Sequence, residues 1–113
     1  MHAARLRRGE DIARVRAQGI ARNDRLFSLR ALSSDQPAVR LAVSASRGVG
    51  GAVKRNRARR RLREAVRTVL HDLPTVSGPR GMDLVLLARP AALDIPATAL
   101  RGAVERELQR VLR

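Results

Sequence analysis

The sequence predicts a single α+β domain with element order αββαβα, a two-layer sandwich of helices on one sheet. Three observations lead there. Two central segments alternate apolar and polar residues, and a third is a continuous apolar run. Stretches with helical apolar spacing separate and flank them. With 113 residues, 44% of them hydrophobic, the chain suits one core, and no linker or repeat divides residues 1–113.

The first helix is expected over Gly9–Gln18. Glu10 and Asp11 sit in its first turn, where negative charge suits the dipole, and Gly19 closes it. Its apolar face is thin: Ile12 and Val15, with Leu6 just outside. In the first predicted strand, Arg25–Leu32, residues Phe27, Leu29 and Ala31 share one face, opposite Leu26, Ser28, Arg30 and Leu32. The second, Val39–Ser46, sets Val39, Leu41, Val43 and Ala45 against Arg40, Ala42, Ser44 and Ser46. Ser33–Pro37 between them has turn composition. A long helix is predicted from Ala52 to Leu73, ended by Pro74, followed by a Gly/Pro/Ser-rich loop over Thr75–Gly81. Asp83–Ala88 reads as a strand buried on both faces. The last helix starts near Pro96 and shows Leu100, Val104, Leu108 and Val111 at helical spacing.

Charge narrows the function. Lys and Arg total 24 against 10 Asp and Glu, a formal net charge of +14. Such a body repels itself and gains stability from a bound polyanion, nucleic acid first and an anionic membrane surface second. Lys54 is the only lysine; arginine suits bidentate phosphate contacts and stacking, although a GC-rich genome biases composition the same way. With a single aromatic, Phe27, the core rests on Leu, Val, Ile and Ala, and Phe27 is assigned to it. The absence of cysteine excludes disulfides, thiol chemistry and cysteine zinc sites. His2 and His71 are too few and too far apart to suggest a metal site. Neither a membrane span nor a signal peptide is legible, so a cytoplasmic location is expected.

The residues that carry function lie in Lys54–Arg67, where eight of fourteen residues are basic and only Glu64 is acidic. Leu62, Ala65, Val66, Val69, Leu70 and Leu73 form one apolar arc at helical spacing. The arc does not reach the start of the helix, where Lys54, Arg55, Arg57, Arg59 and Arg60 surround Ala58. A solvated surface helix mixes both signs to gain i,i+4 pairs; this one does not. The first two turns therefore read as a probe for a polyanion. Arg47-Gly48-Val49-Gly50-Gly51 precedes it and feeds into free N–H groups at a helix start, a favourable place for phosphate. Gly48-x-Gly50 is not a dinucleotide fingerprint, since the third glycine position is Val53, nor is Lys54 preceded by the glycine of a P-loop. A basic leucine zipper is excluded because Pro74 ends the helix before any heptads.

Ser44–Glu64, with its Ser-Arg-Gly loop running into Arg55-Asn56-Arg57, resembles the bacterial ribonuclease P proteins. Leu6-Arg7-Arg8-Gly9-Glu10-Asp11 and Leu86-Leu87-Ala88-Arg89-Pro90 match in the same order. The resemblance implies a ribosomal-protein-like domain with a left-handed βαβ crossover, against the general preference for right-handed ones. It implies that Arg47, Gly48, Gly50, Lys54, Arg55, Asn56, Arg57, Arg59, Arg60, Arg61, Arg63 and Arg67 face a catalytic RNA, one protein per RNA. It also implies a cleft for the 5′ leader of precursor tRNA, assigned here to Ile12, Arg16, Arg30, Ser44 and Ser46. Positions usually aromatic in the family are Ile12 and Arg16, and one often Tyr is Arg30, so leader binding must rest on charge and guanidinium stacking. No carboxylates cluster as a two-metal nuclease requires: Glu10 and Asp11 start a helix, and Glu105 and Glu107 are offset on another. The expectation is no protein catalytic residue, no metal site and no cofactor held by the chain, with Mg²⁺ acting alongside the RNA. A ribosomal-type or other basic RNA-binding protein, and a DNA-binding regulator, are the competing classes.

Overall fold

The computed structural model describes residues 3–72 and 81–111. In chain order the elements are β1 (Ala3–Arg5), α1 (Gly9–Gln18), β2 (Ile20–Asn23), β3 (Phe27–Ser34), β4 (Val39–Ala45), a 3₁₀ turn (Arg47–Val49), α2 (Ala52–Asp72), β5 (Gly81–Ala88), a second 3₁₀ turn (Pro90–Ala92) and α3 (Ala97–Val111). The five strands lie in the order β1-β4-β5-β3-β2. Strands β1, β4 and β5 are mutually parallel, with Val39 opposite Met82 and Ala45 opposite Ala88. Strand β3 runs antiparallel to β5, Phe27 opposite Ala88, and β2 antiparallel to β3. Since β4 and β5 are parallel neighbours, α2 is the crossover that joins them.

One sheet face carries the main core. Phe27, Leu29 and Ala31 of β3, Leu41 and Ala45 of β4, and Leu84, Leu86 and Ala88 of β5 pack there against α2 and α3. Helix α2 contributes Ala58, Leu62, Ala65, Val66, Val69 and Leu70, the arc read from spacing, while Leu73 lies outside the described residues. Helix α3 contributes Leu100, Ala103, Val104, Leu108 and Val111. Phe27 is wholly buried, as assigned. The opposite face holds a much smaller cluster, Leu6, Val15 and Val85, with Ile12, Leu32 and Ala42 beside it. Helix α1 lies on that face, so the sandwich of sheet and α2/α3 carries a helix on its other side. Strand β5, second-neighbour to both edges, is thereby covered on both faces, which explains its unbroken apolar run.

The structure departs from the sequence expectations at several element boundaries, and β4 ends at Ala45, one residue before the expected Ser46. Two short strands, β1 and β2, flank α1 where none was expected; at three and four residues, they have no alternation long enough to register. Strand β3 continues through Ser33 and Ser34, expected in the turn, because both pair with β5. Leu26, placed on the polar face, precedes the strand and is buried in the main core. Its N–H donates to Asp24 Oδ1 at 2.9 Å, a turn that takes it out of the strand's alternation. Of the predicted loop over Thr75–Gly81, Gly81 begins β5 and the remainder lies outside the described residues. Gly81 is required there: a Cβ would fall on the carbonyl oxygens of Gln36 and Ala38.

Candidate RNA interface

The predicted probe is a consequence of where α2 meets the core. Ala58 is the first buried residue of the helix; Ala52–Arg57 are exposed all round. The loop before them is tied down by Val49, which is buried, and by the Ser46 N–H donating to Ala88 O at 2.9 Å. Gly50 has φ 132°, a conformation L side chains rarely adopt, and Gly51 O accepts the first helical bond, from the Arg55 N–H. No acidic residue occupies the first turn of α2. The positive end of the dipole thus coincides with Lys54, Arg55 and Arg57 and lacks local compensation. Gly50→Ala is expected to lower stability by about 1–3 kcal/mol through that backbone conformation alone, readable as a reduced midpoint in urea.

The arginines of α2 divide between two flanks. On the side of α3, Arg57, Arg60, Arg61, Glu64, Thr68 and Arg101 surround a groove of about 430 Å³ whose floor includes Ala65 and Leu100. On the side of β1, Arg5, Val53, Asn56, Arg59, Arg60 and Arg63 line a shallower concavity of about 480 Å³. Arg60 belongs to both. Arg61 differs from its neighbours: its guanidinium donates to Ala92 O at 3.0 Å and also to the carbonyls of Leu93 and Ile95. It fastens α2 to the segment that leads into α3, so its donors point into the protein. Arg59 donates to Asn56 Oδ1, and Arg55 to Ala45 O at 3.3 Å, linking the probe to the end of β4. Burial, then the guanidiniums of Arg5, Arg67 and Arg59, hold the pKa of Arg63 below the usual arginine value, a sign of accumulated positive charge. Arg47 and Gly48 are exposed in the loop before α2, Gly48 close to Pro90, and Arg67 is exposed further along α2.

A second site opens between α1 and the sheet. Ile12 and Arg16 from α1 and Ala42, Ser44 and Val85 from the sheet line a cleft of about 230 Å³. Arg5, Leu6 and Arg63 complete its rim, made available because β1 stops at Arg5 and leaves the next part of β4 uncovered. Arg30 is exposed near the end of α1, and its guanidinium donates to Arg16 O at 2.9 Å. Ser46 lies past the end of β4, at the turn into α2. The residues assigned to the leader therefore split: Ile12, Arg16 and Ser44 share the cleft, Arg30 adjoins it, and Ser46 borders the loop. Sequence reasoning missed Arg5, Leu6 and Arg101. Each reaches its site through pairing or packing with segments remote in sequence, and local spacing gives no signal of that.

The carboxylates follow a different rule. Asp11, Asp83 and Glu107 are buried, and each faces an arginine. Arg22 donates to Glu107 Oε2 at 2.9 Å, tying β2 to α3. Arg40 grips Asp83 through two hydrogen bonds of 2.8 and 2.7 Å. That hydrogen bonding, aided by the charges of Asp83 and Asp11, raises the Arg40 pKa against the opposing effect of burial. Among the described residues no three of His, Cys, Asp and Glu come together. None of their helices is long and apolar enough to cross a membrane.

Comparison with known proteins bears on the whole chain. The ribonuclease P family pattern matches residues 1–112. The ribonuclease P protein component of Chloroflexus aurantiacus is 41% identical over 103 residues, covering 90% of this chain and 73% of that protein. That of Roseiflexus castenholzii is 38% identical over 109 residues, covering 96% and 85%. In fold, the chain is similar to the Staphylococcus aureus RNase P protein, with a TM-score of 0.76 at 23% identity over 99% of this chain and 100% of that one. A five-stranded sheet crossed by an arginine-rich helix, a family pattern matched from residue 1 to 112 and relatives at about 40% identity lead to one assignment: the chain belongs to the ribonuclease P family.

Proposed function

We propose that this chain binds the catalytic RNA of ribonuclease P, one protein to one RNA, through the loop Arg47–Gly51 and the first turns of α2. The same protein holds the single-stranded 5′ leader of precursor tRNA in the cleft between α1 and the sheet. The observation that carries the reading is the helix start over Ala52–Arg57, exposed on every side with no acidic residue in its first turn. Such a terminus gains from polyanion phosphates what it lacks internally. The leader cleft adjoins the β1-side flank, and Arg63 lines both, so substrate and catalytic RNA would meet on one continuous basic surface.

Hydrolysis of the precursor belongs to the RNA, with Mg²⁺ supplying charge stabilisation at the scissile phosphate when bound to it. The chain's own residues bind and orient. Lys54, Arg55 and Arg57 offset repulsion between phosphates as two RNAs approach. Arg16 and Arg30 meet the leader backbone, and Ile12 offers an apolar surface to a base. This work takes place in the cytoplasm, where precursor tRNA is made.

The test is multiple-turnover cleavage of precursor tRNA by a bacterial ribonuclease P RNA at low Mg²⁺, with and without the chain. Strong stimulation is the expected result; none with a cognate RNA would point instead to a ribosomal-type role. A second prediction concerns the missing aromatics. Leader affinity should depend more steeply on salt than in Arg30→Tyr, because stacking replaces one ionic contact in the variant. Equal slopes of log affinity against log salt would reject the electrostatic account of the cleft.

A further inference from the structure

Helix α1 is attached to the sheet weakly, and one of its few anchors is ionic. Only two of its residues are buried, Asp11 and Val15. Val15 meets the small cluster of Leu6 and Val85. Asp11 instead meets β4: Arg40 Nη1 lies 3.5 Å from Asp11 Oδ2. Arg40 at the same time holds Asp83 of β5 through both Nε and Nη2. Arg14, one turn along α1, adds a contact of 3.3 Å to the other Asp11 oxygen. A single guanidinium thus joins two strands and a helix.

The place of this joint gives it a consequence. Asp11 immediately precedes Ile12, and Ile12 and Arg16 form the α1 wall of the cleft; Ala42, on the same face of β4 as Arg40, lies on the opposite wall. With so narrow an apolar contact, the ionic joint is a second anchor of α1 on the sheet, beside the hydrogen bond from Arg30 to Arg16 O.

We propose that Asp11 is a positioning residue for substrate binding: through Arg40 it fixes α1 over the sheet and sets the cleft to the width of a single RNA strand. The proposal rests on the reading of this cleft as the leader site.

The experiment uses the full chain assembled with its catalytic RNA. Affinity is measured for a precursor tRNA and for the same tRNA without its leader, and the ratio gives the gain due to the leader. Asp11→Ala is expected to reduce that gain about five- to tenfold, leaving affinity for leaderless tRNA and for the catalytic RNA unchanged. Asp11→Asn, which keeps an acceptor facing Arg40, should fall between it and the wild type. Glu10→Ala is the control: it removes the same charge from the same helix turn, but Glu10 is exposed and pairs only loosely with Arg8, at 3.9 Å. It should leave the ratio unaltered. Ile12→Glu, within the cleft itself, tests the underlying reading. If Ile12→Glu lowers the gain while Asp11→Ala and Asp11→Asn match Glu10→Ala, the positioning role is wrong and the cleft stands. If Ile12→Glu also leaves the gain intact, the leader lies elsewhere and both readings fall. An equal loss of affinity for the catalytic RNA in both Asp11 variants would reduce Asp11 to a general structural residue.

Discussion

A double Arg55→Ala/Arg57→Ala variant is expected to bind the catalytic RNA at least about a hundredfold more weakly, at roughly 1.5–3 kcal/mol for each charged hydrogen bond lost. Stimulation of cleavage at low Mg²⁺ should disappear with it. Both side chains project from turns of α2 that precede its first buried residue, and neither is paired with a carboxylate among the described residues. The loss should fall mainly on binding, with stability lowered by about 1 kcal/mol through the 3.3 Å hydrogen bond from Arg55 to Ala45 O. Because each arginine neutralises a phosphate, the slope of log affinity against log salt should fall by about two. Arg61→Ala makes the informative contrast. Its removal strips donors from the carbonyls of Ala92, Leu93 and Ile95, so it should destabilise the fold and alter the salt slope far less. Titration of the variants with labelled catalytic RNA at several salt concentrations checks both statements. An unchanged slope for the double variant would place the RNA on another surface.

Arg40→Ala should destabilise the fold strongly, by about 3–5 kcal/mol, since it leaves Asp83 buried with its partner removed. For a domain of this size the thermal midpoint should drop by more than about 10 °C. The sign follows from the asymmetry between making and breaking a buried pair: the gain from the pair is largely offset by desolvation, whereas an orphaned carboxylate bears the desolvation cost without return. The double variant Arg40→Met/Asp83→Leu should consequently recover part of what Arg40→Ala loses, since the Arg40 and Asp83 sites then become apolar while Asp11 keeps only Arg14. Calorimetry of the three proteins decides it. A small effect of Arg40→Ala would mean that water reaches Asp83 and that the joint under α1 is not a rigid one.

Several parts of this arrangement are legible in the residues themselves. Glu10 and Asp11 ahead of a short apolar pattern, with Gly19 behind it, locate α1 at Gly9–Gln18, and the structure agrees at both ends. The alternation of Phe27, Leu29 and Ala31 finds the core face of β3, and the spacing of Leu62, Ala65, Val66, Val69 and Leu70 finds that of α2. The probe is legible for the same reason: an apolar arc that stops at Ala58 leaves the preceding turns nothing to bury. Short edge strands escape such reasoning. Strand β1 draws its order from β4 and β2 from β3, partners that no local pattern names. The cleft was harder still. Ile12 and Ser44 come together only because α1 packs on the face opposite α2, a choice that two buried residues and one arginine enforce.

By itself the sequence determined the α+β class, the main core, the exposed basic start of α2 and the polyanion it calls for, because each depends on periodicity or on charge within a few turns of chain. Only the tertiary structure decided how the arginines of α2 divide between two flanks, why Arg61 faces inward, and that Asp11, Arg40 and Asp83 form one joint beside the cleft. Those outcomes depend on which strands become neighbours. Strand order is fixed by the packing of the whole sheet against its helices, to which every segment contributes at once.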